Sequence, residues 1–320
     1  MSLSELNLEP NIIINNYELI TKIGEGTYGK IYSANNLNKN EVQVLKILKK
    51  RSSFLKSNLN EISILKKLYE NHEKTRKEKR EYVSIILDNF FHEEHHIIVL
   101  KKYSKNLYQE YKTVKFEIDQ IKKIAFNVLK GLSFLKKNKI IHGDLKPENI
   151  LFRDDKSYNV VICDFSLSID NDVDVEKDFK KNYNIQSIWY RSPEIMFMLD
   201  FDYNIDMWSL GCILFELYFK KALFSCKTNK QLYIKIYSML GVPNKDIINA
   251  NKLTRSYFNL NYDTIIDIDP EIYNKMITYL DNINIYCNCP IIKNIILRTL
   301  TWTSDDRISV EECLNLFKFV

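Results

Sequence analysis

Four polar residues in two short stretches could together move a phosphoryl group. Asp144, Lys146 and Asn149 lie in Ile141-His142-Gly143-Asp144-Leu145-Lys146-Pro147-Glu148-Asn149-Ile150-Leu151, a stretch that reads as a loop, and Asp164 follows in Cys163-Asp164-Phe165-Ser166. An aspartate placed like Asp144 can accept the hydrogen bond of a substrate hydroxyl and aim it in line, while Lys146 can neutralise charge on a transferring γ-phosphoryl group. Asn149 and Asp164 offer hard oxygen ligands, the donor type that suits Mg²⁺. Upstream, Lys46 lies in Gln43-Val44-Leu45-Lys46, and a lysine on the inner face of an otherwise apolar strand must find an anion. Glu61 is a ready partner, and a Lys46–Glu61 pair would hold the α- and β-phosphates of ATP. Taken alone, the two read as a snorkelling lysine and an exposed helix glutamate; the downstream set is what gives the pair a chemical meaning.

These residues need elements to hold them. Only 7 glycines occur in 320 residues, where average usage would give about 22. Three of them, Gly24, Gly26 and Gly29, fall in Ile23-Gly24-Glu25-Gly26-Thr27-Tyr28-Gly29-Lys30-Ile31, between strand-like stretches at 17–23 and 30–34. A dinucleotide-binding loop shares this spacing but opens a helix; here the second flank reads as strand, which makes a hairpin whose backbone N–H groups can close over phosphates. A further strand at 41–48 carries Lys46, a helix at 58–69 carries Glu61, and strands follow at 83–91 and 96–100. The first hundred residues therefore predict a five-stranded sheet with one helix. After Tyr103 the pattern becomes helical, with Ile121, Ile124, Ala125, Val128, Leu129, Leu132 and Leu135 on one buried stripe. The expected organisation is α+β with two lobes: an N-terminal extension at 1–16, a small lobe at 17–100, a hinge at 101–104 and a mainly helical large lobe at 105–320.

Composition narrows the class. Hydrophobic residues at 45% and charged residues at 27% suit a globular core, and the longest apolar run, 207–219, contains Glu216 and falls short of a bilayer span. The start has neither a basic nor an apolar leader region and the end has no prenylation box, so the expectation is an intracellular protein, cytoplasmic or nuclear, acting as a monomer away from membranes. Six cysteines without a C-x-x-C pair fit neither a disulfide scaffold nor a zinc ribbon, and a net charge of +5 is too small to imply direct nucleic-acid binding. The charge run at 74–80 reads as a solvated loop. His92-Glu93-Glu94-His95-His96 matches the zinc-protease signature, but strand-like neighbours on both sides make it a hairpin turn rather than the helix that signature needs.

With its motifs quoted, the chain resembles a eukaryotic protein kinase over residues 17–319. Supporting landmarks are Ser192-Pro193-Glu194, Asp206-Met207-Trp208-Ser209-Leu210-Gly211, and Arg307 in Asp-Asp-Arg-Ile-Ser. The resemblance implies a bilobal kinase fold that uses ATP and Mg²⁺ and acts on protein substrates. It implies a Glu194–Arg307 ion pair, Asp206 as anchor of the 141–151 loop, adenine held between Val44 and Leu151, Leu100 as gatekeeper and a hinge at 101–103. Within kinases it looks most like the CMGC group and its dual-specificity tyrosine-regulated and splicing-kinase branch, through Ser104-Lys105-Asn106-Leu107-Tyr108 and Ile185-Gln186-Ser187-x-x-Tyr190-Arg191-Ser192-Pro193-Glu194. In that group the arginine matching Arg191 favours Ser/Thr-Pro sites.

Several residues depart from the pattern. Gly143 and Ile188 stand where arginines usually collect an activation-segment phosphate, so a segment competent without phosphate is expected. The autophosphorylated tyrosine of the branch aligns with Asn184, one position from Tyr183. Ser166 replaces the usual glycine after Asp-Phe, which should make flipping of Phe165 rarer. Val44 adds bulk over the adenine, and Cys163 borders the expected pocket. The rival function is a pseudokinase, an ATP-binding scaffold without transfer. Ser166, Gly143 and Val44 favour it, while the intact set Lys46, Glu61, Asp144, Lys146, Asn149 and Asp164 opposes it.

Overall fold

The computed structural model describes residues 8–50, 52–74, 81–172, 185–241, 243, 247 and 283–318. Residues 1–7 of the expected extension, the charge run beyond Lys74, and Tyr183 and Asn184 lie outside them. One antiparallel sheet forms the first lobe from β1 (Ile13–Ile14), β2 (Tyr17–Glu25), β3 (Gly29–Asn36), β4 (Glu41–Leu48), β5 (Ile86–His92) and β6 (His95–Lys101), in the order β1-β2-β3-β4-β6-β5. The sheet thus has six strands rather than five. β1 pairs Ile13 with Glu18 and Ile14 with Tyr17, and two residues are too few to show alternation in a sequence. Inward-facing Leu19, Tyr32, Leu45, Ile47, Ile97 and Val99, none more than 1% exposed, make the core of this lobe.

The helix α1 (Ser52–Lys74) extends a turn or more beyond each end of the expected 58–69. Its buried residues Ile62, Leu65 and Leu68 belong to the same apolar cluster as the large lobe, so α1 packs against both lobes. The strand expected from residue 83 begins at Ile86; Val83 instead bridges Ile162 of the second lobe. Glu93 and Glu94 both take left-handed φ, 43° and 69°, and close the β5–β6 hairpin at the histidine-rich segment.

The second lobe starts with α2 (Leu107–Thr113), whose first turn is closed by reciprocal bonds between Asn106 and Gln109. Next comes α3 (Ile118–Lys137), which buries the stripe read from its spacing, each Ile or Leu contributing about 1.5–3 kcal/mol. Short strands β7 (Ile140–Ile141), β8 (Ile150–Phe152), β9 (Val160–Ile162) and β10 (Ile169–Asp170) frame the loops at 142–149 and 163–168. Then follow α4 (Pro193–Met196), α5 (Asn204–Phe219), α6 (Asn229–Leu240), α7 (Pro290–Thr299) and α8 (Val310–Asn315). α5 is buried on nearly every side and packs against α7 and α3. Arg307 and Glu194 meet at 2.9 Å with side chains 0% and 5% exposed, locking α4 to the segment between α7 and α8. Among the described residues, no helix is long and apolar enough to cross a membrane.

Candidate active site

The loop between β7 and β8 is held from below by α5. Asp206 accepts hydrogen bonds from the backbone N–H groups of His142 (2.8 Å) and Gly143 (3.0 Å). Burial pushes its carboxyl up, against His142 and those two N–H groups. Gly143 adopts φ +75°, and a Cβ there would sit 2.7 Å from the carbonyl oxygen of Leu167, so glycine suits the turn that an arginine usually occupies. A single 3₁₀ turn, Pro147–Asn149, begun by proline, then brings Asn149 back beneath Asp144.

Asp144 is 7% exposed and has four donors. Its Oδ2 accepts from Lys146 Nζ at 2.6 Å and Asn149 Nδ2 at 3.3 Å, and its Oδ1 from Ser187 N at 2.9 Å and Ser187 Oγ at 2.8 Å. Lys146 also donates to Ser187 Oγ at 2.9 Å. Ser187, from the segment that re-enters the described structure at residue 185, is thus part of the constellation. Sequence reading used it only as a family landmark; the signal was its place four residues before Arg191-Ser192-Pro193-Glu194.

Lys46, in the second half of β4 and paired with Ile31 and Ile98, donates to Glu61 Oε1 at 2.6 Å and to Asp164 Oδ1 at 2.9 Å. Burial disfavours its charge, but the two carboxylates outweigh this and hold the ammonium above its ordinary value. Burial likewise pushes Glu61 up, opposed by Lys46. At Asp164, burial is outweighed by Lys46 and by hydrogen bonds, so the carboxyl is held well below the usual range. Asp164 takes φ +65°, and Phe165 behind it is fully buried, edge-on to His142 with ring centres 5.4 Å apart.

A cleft of about 930 Å³ opens between the lobes over these groups. Ile23, Gly24, Glu25, Gly26 and Ile31 form its roof, with Val44, Leu100 and Leu151 as apolar walls, and it is bordered by Lys46, Glu61, Lys146, Asn149 and Asp164. Lys101, Lys102 and Tyr103 border it where β6 leaves the sheet. Cys163 borders it too, but burial pushes its thiol far up, which makes it an inert wall. Asp144 lies just below, through its bonds to Lys146 and Asn149. Of the expected loop residues, Thr27, Tyr28, Gly29 and Lys30 do not line the cleft. Tyr28 packs edge-on to Phe54 at 5.3 Å, and burial together with Asp164 and Asp144 pushes its phenol up. Gly29 is required by packing: a Cβ there would stand 2.5 Å from the carbonyl oxygen of Ile47 on β4.

Residues 17–317 match the protein kinase domain family. The chain belongs to the protein kinase family. The kinase chain is 33% identical over 246 residues to serine/threonine-protein kinase ppk15 of Schizosaccharomyces pombe, covering 76% of this chain and 44% of the relative. It is 33% identical over 239 residues to dual specificity protein kinase YAK1 of Saccharomyces cerevisiae, with 74% and 28% covered. To dual specificity tyrosine-phosphorylation-regulated kinase 2 of Drosophila melanogaster it is 33% identical over 256 residues, with 79% and 34% covered. The similarity therefore falls in the CMGC branch that the Ser-Lys-Asn-Leu-Tyr and Ile-Gln-Ser motifs resemble. The kinase chain spans less than half the length of each of these relatives.

Two donors on α1 also escaped the sequence reading. Ser57 Oγ donates to the carbonyl of Ser166 at 2.8 Å and Asn60 Nδ2 to that of Ser168 at 2.8 Å. Ser57 lies three residues before Asn60 and four before Glu61, spacings that share a helix face, which is the signal that could have found them.

Proposed function

We propose that this kinase transfers the γ-phosphoryl group of ATP to serine and threonine hydroxyls of protein substrates, in the organisation read from the sequence: small lobe 17–100, hinge 101–104, large lobe 105–320. The observation that carries this reading is the convergence of Lys46, Glu61, Lys146, Asn149 and Asp164 on one cleft, with Asp144 bonded to Lys146 and Asn149 just below it and every mutual bond between 2.6 and 3.3 Å. Adenine would lie between Val44 and Leu151, with Leu100 behind it. Lys46, fixed by Glu61, would meet the α- and β-phosphates, and Lys146 the γ-phosphoryl group. Asp144 would accept the hydrogen bond of the substrate hydroxyl and fix its line of attack.

The residues also fit magnesium. Asn149 spends Nδ2 on the main-chain oxygen of Asp144 (2.8 Å) and on its carboxylate, so the group it has left is the amide oxygen Oδ1. Asp164 receives its bonds from Lys46 and Ser166 on Oδ1 alone, and Oδ2 takes none from the described residues. One amide and one carboxylate oxygen at the same cleft are hard ligands of the right kind. The ion would neutralise phosphate charge as it develops during transfer.

Selection of Ser/Thr-Pro sites is part of the proposal. Arg191 donates to the carbonyl of Gln186 through Nη2 (2.8 Å) and Nε (3.2 Å), and Gln186 is held at φ +61° by bonds of its own side chain to Ile205, Ser192 and Ser209. That carbonyl is therefore spent and cannot accept the N–H of the residue after the acceptor. A proline, which has no N–H, leaves no donor unsatisfied there. Arrayed peptides differing only in Pro or Ala after the acceptor test this; equal phosphorylation of both series would refute the proline preference.

A further inference from the structure

Ser166 occupies a place where the protein kinase pattern has glycine, and the structure gives its hydroxyl a partner. Ser166 Oγ donates to Asp164 Oδ1 at 2.9 Å, the same oxygen that receives Lys46. Its backbone carbonyl accepts from Ser57 Oγ at 2.8 Å. The bonds close a circuit: α1 through Glu61 to Lys46, to Asp164, to Ser166, and back to α1 through Ser57. Ser57 and Glu61 are one helical turn apart, so both ends of the circuit are fixed to a single rigid element. Ser166 is 7% exposed and, unlike Asp164, has no left-handed backbone, so its Cβ is accommodated without strain.

We infer that Ser166 is a positioning residue that clamps the Asp164 carboxylate and, through it, the register of α1 against the segment 164–168. With Oδ1 held by two donors on different elements, the carboxylate cannot rotate, and Oδ2 is the oxygen presented to the cleft. Glycine at this position leaves Lys46 as the only side chain among the described residues that fixes Asp164. The same hydroxyl adds a bond that must break before Phe165 can leave its buried site, where it is 0% exposed. A residue outside the phosphate chemistry thereby keeps the site assembled with no phosphate on the chain.

The inference rests on the proposed use of Asp164 as metal ligand, so its test has one arm that needs neither activity nor metal. Hydrogen exchange of the nucleotide-free protein is compared among wild type, Ser166→Ala, Ser166→Thr and Ser57→Ala. Exchange at residues 57–61 and 164–168 should quicken about tenfold in Ser166→Ala, the low end of what loss of one hydrogen bond to a charged group implies, and revert in Ser166→Thr. Ser57→Ala, which breaks the circuit at its other end, should loosen the same two segments, and serves if Ser166→Ala fails to fold. Unchanged exchange in both alanine variants overturns the inference. In the second arm, calorimetry of ADP binding should show an unchanged affinity without Mg²⁺ in Ser166→Ala and a Mg²⁺ requirement raised about tenfold; an unchanged or lowered requirement overturns the clamp on Asp164. Wild type that binds Mg·ADP yet transfers no phosphate refutes the enzymatic reading alone and leaves the clamp standing.

Discussion

Gly29 and Gly26 belong to one glycine-rich turn, yet the structure gives them opposite roles and so opposite mutational outcomes. At Gly29 a Cβ would lie 2.5 Å from the carbonyl oxygen and 3.2 Å from the carbonyl carbon of Ile47, and 3.4 Å from Leu48 Cα, all backbone of a central strand. β4 cannot retreat, because Ile47 is also paired with Ile97 on β6. Overpacking of this kind costs about 2 kcal/mol. With an unfolding entropy of about 2.1 cal/mol/K per residue, 320 residues give roughly 0.7 kcal/mol/K, so Gly29→Ala should lower Tm by about 3 °C. At Gly26 an added Cβ meets no heavy atom within 4 Å, and Gly26→Ala should leave Tm within about 1 °C of wild type while weakening ATP binding. Differential scanning calorimetry without nucleotide, paired with ATP titration, separates the two effects. A wild-type Tm for Gly29→Ala, or an equal fall for Gly26→Ala, would refute the assignment of one glycine to packing and the other to phosphate approach.

Arg307→Ala should destabilise by about 3–5 kcal/mol, because it leaves Glu194 as a buried unpaired charge; a chemical denaturation midpoint equal to wild type would contradict this. The loss is enlarged by the bonds of Arg307 to the carbonyls of Asn204 (2.8 Å) and Thr301 (3.1 Å). Acid sensitivity follows from Asp164, whose carboxyl is depressed in the fold below its ordinary 3.8. Such a group gives stability that is fully present above its unfolded value and lost as pH falls through its lower folded value, so Asp164→Asn should flatten the decline in stability below about pH 4. Urea midpoints from about pH 7 down to about pH 3 check it, and an equally steep decline in the variant counts against the ion pair with Lys46.

The candidate catalytic set was legible because each residue type has a narrow chemical use, and because Asp144, Lys146 and Asn149 lie together in sequence on one loop. The α3 stripe and the hairpin at residues 92–96 were legible for a different reason: periodicity and flanking strand pattern report burial directly. Other features were hidden because they are pairwise. The clash that fixes Gly29 involves a carbonyl on the next strand, and a loop motif carries no record of it. Ser187 reaches Asp144, 43 positions away, through a register that local pattern does not encode. Ser166 read as a lost glycine, and its gain, a bond to Asp164, needed coordinates. The two-residue strand β1 fell below the length at which alternation exists.

The measurement that bears most directly on the central claim is phosphotransfer from radiolabelled ATP to Ser/Thr peptides by purified wild type and Asp144→Ala. Wild type should label peptides and Asp144→Ala should lose about 10²–10⁴-fold of the rate while still binding Mg·ATP, since Asp144 does not itself border the cleft and Asn149 keeps its bond to the main-chain oxygen of residue 144. Equal labelling by the two proteins, or none by wild type despite nucleotide binding, would contradict the account and leave an ATP-binding scaffold in its place.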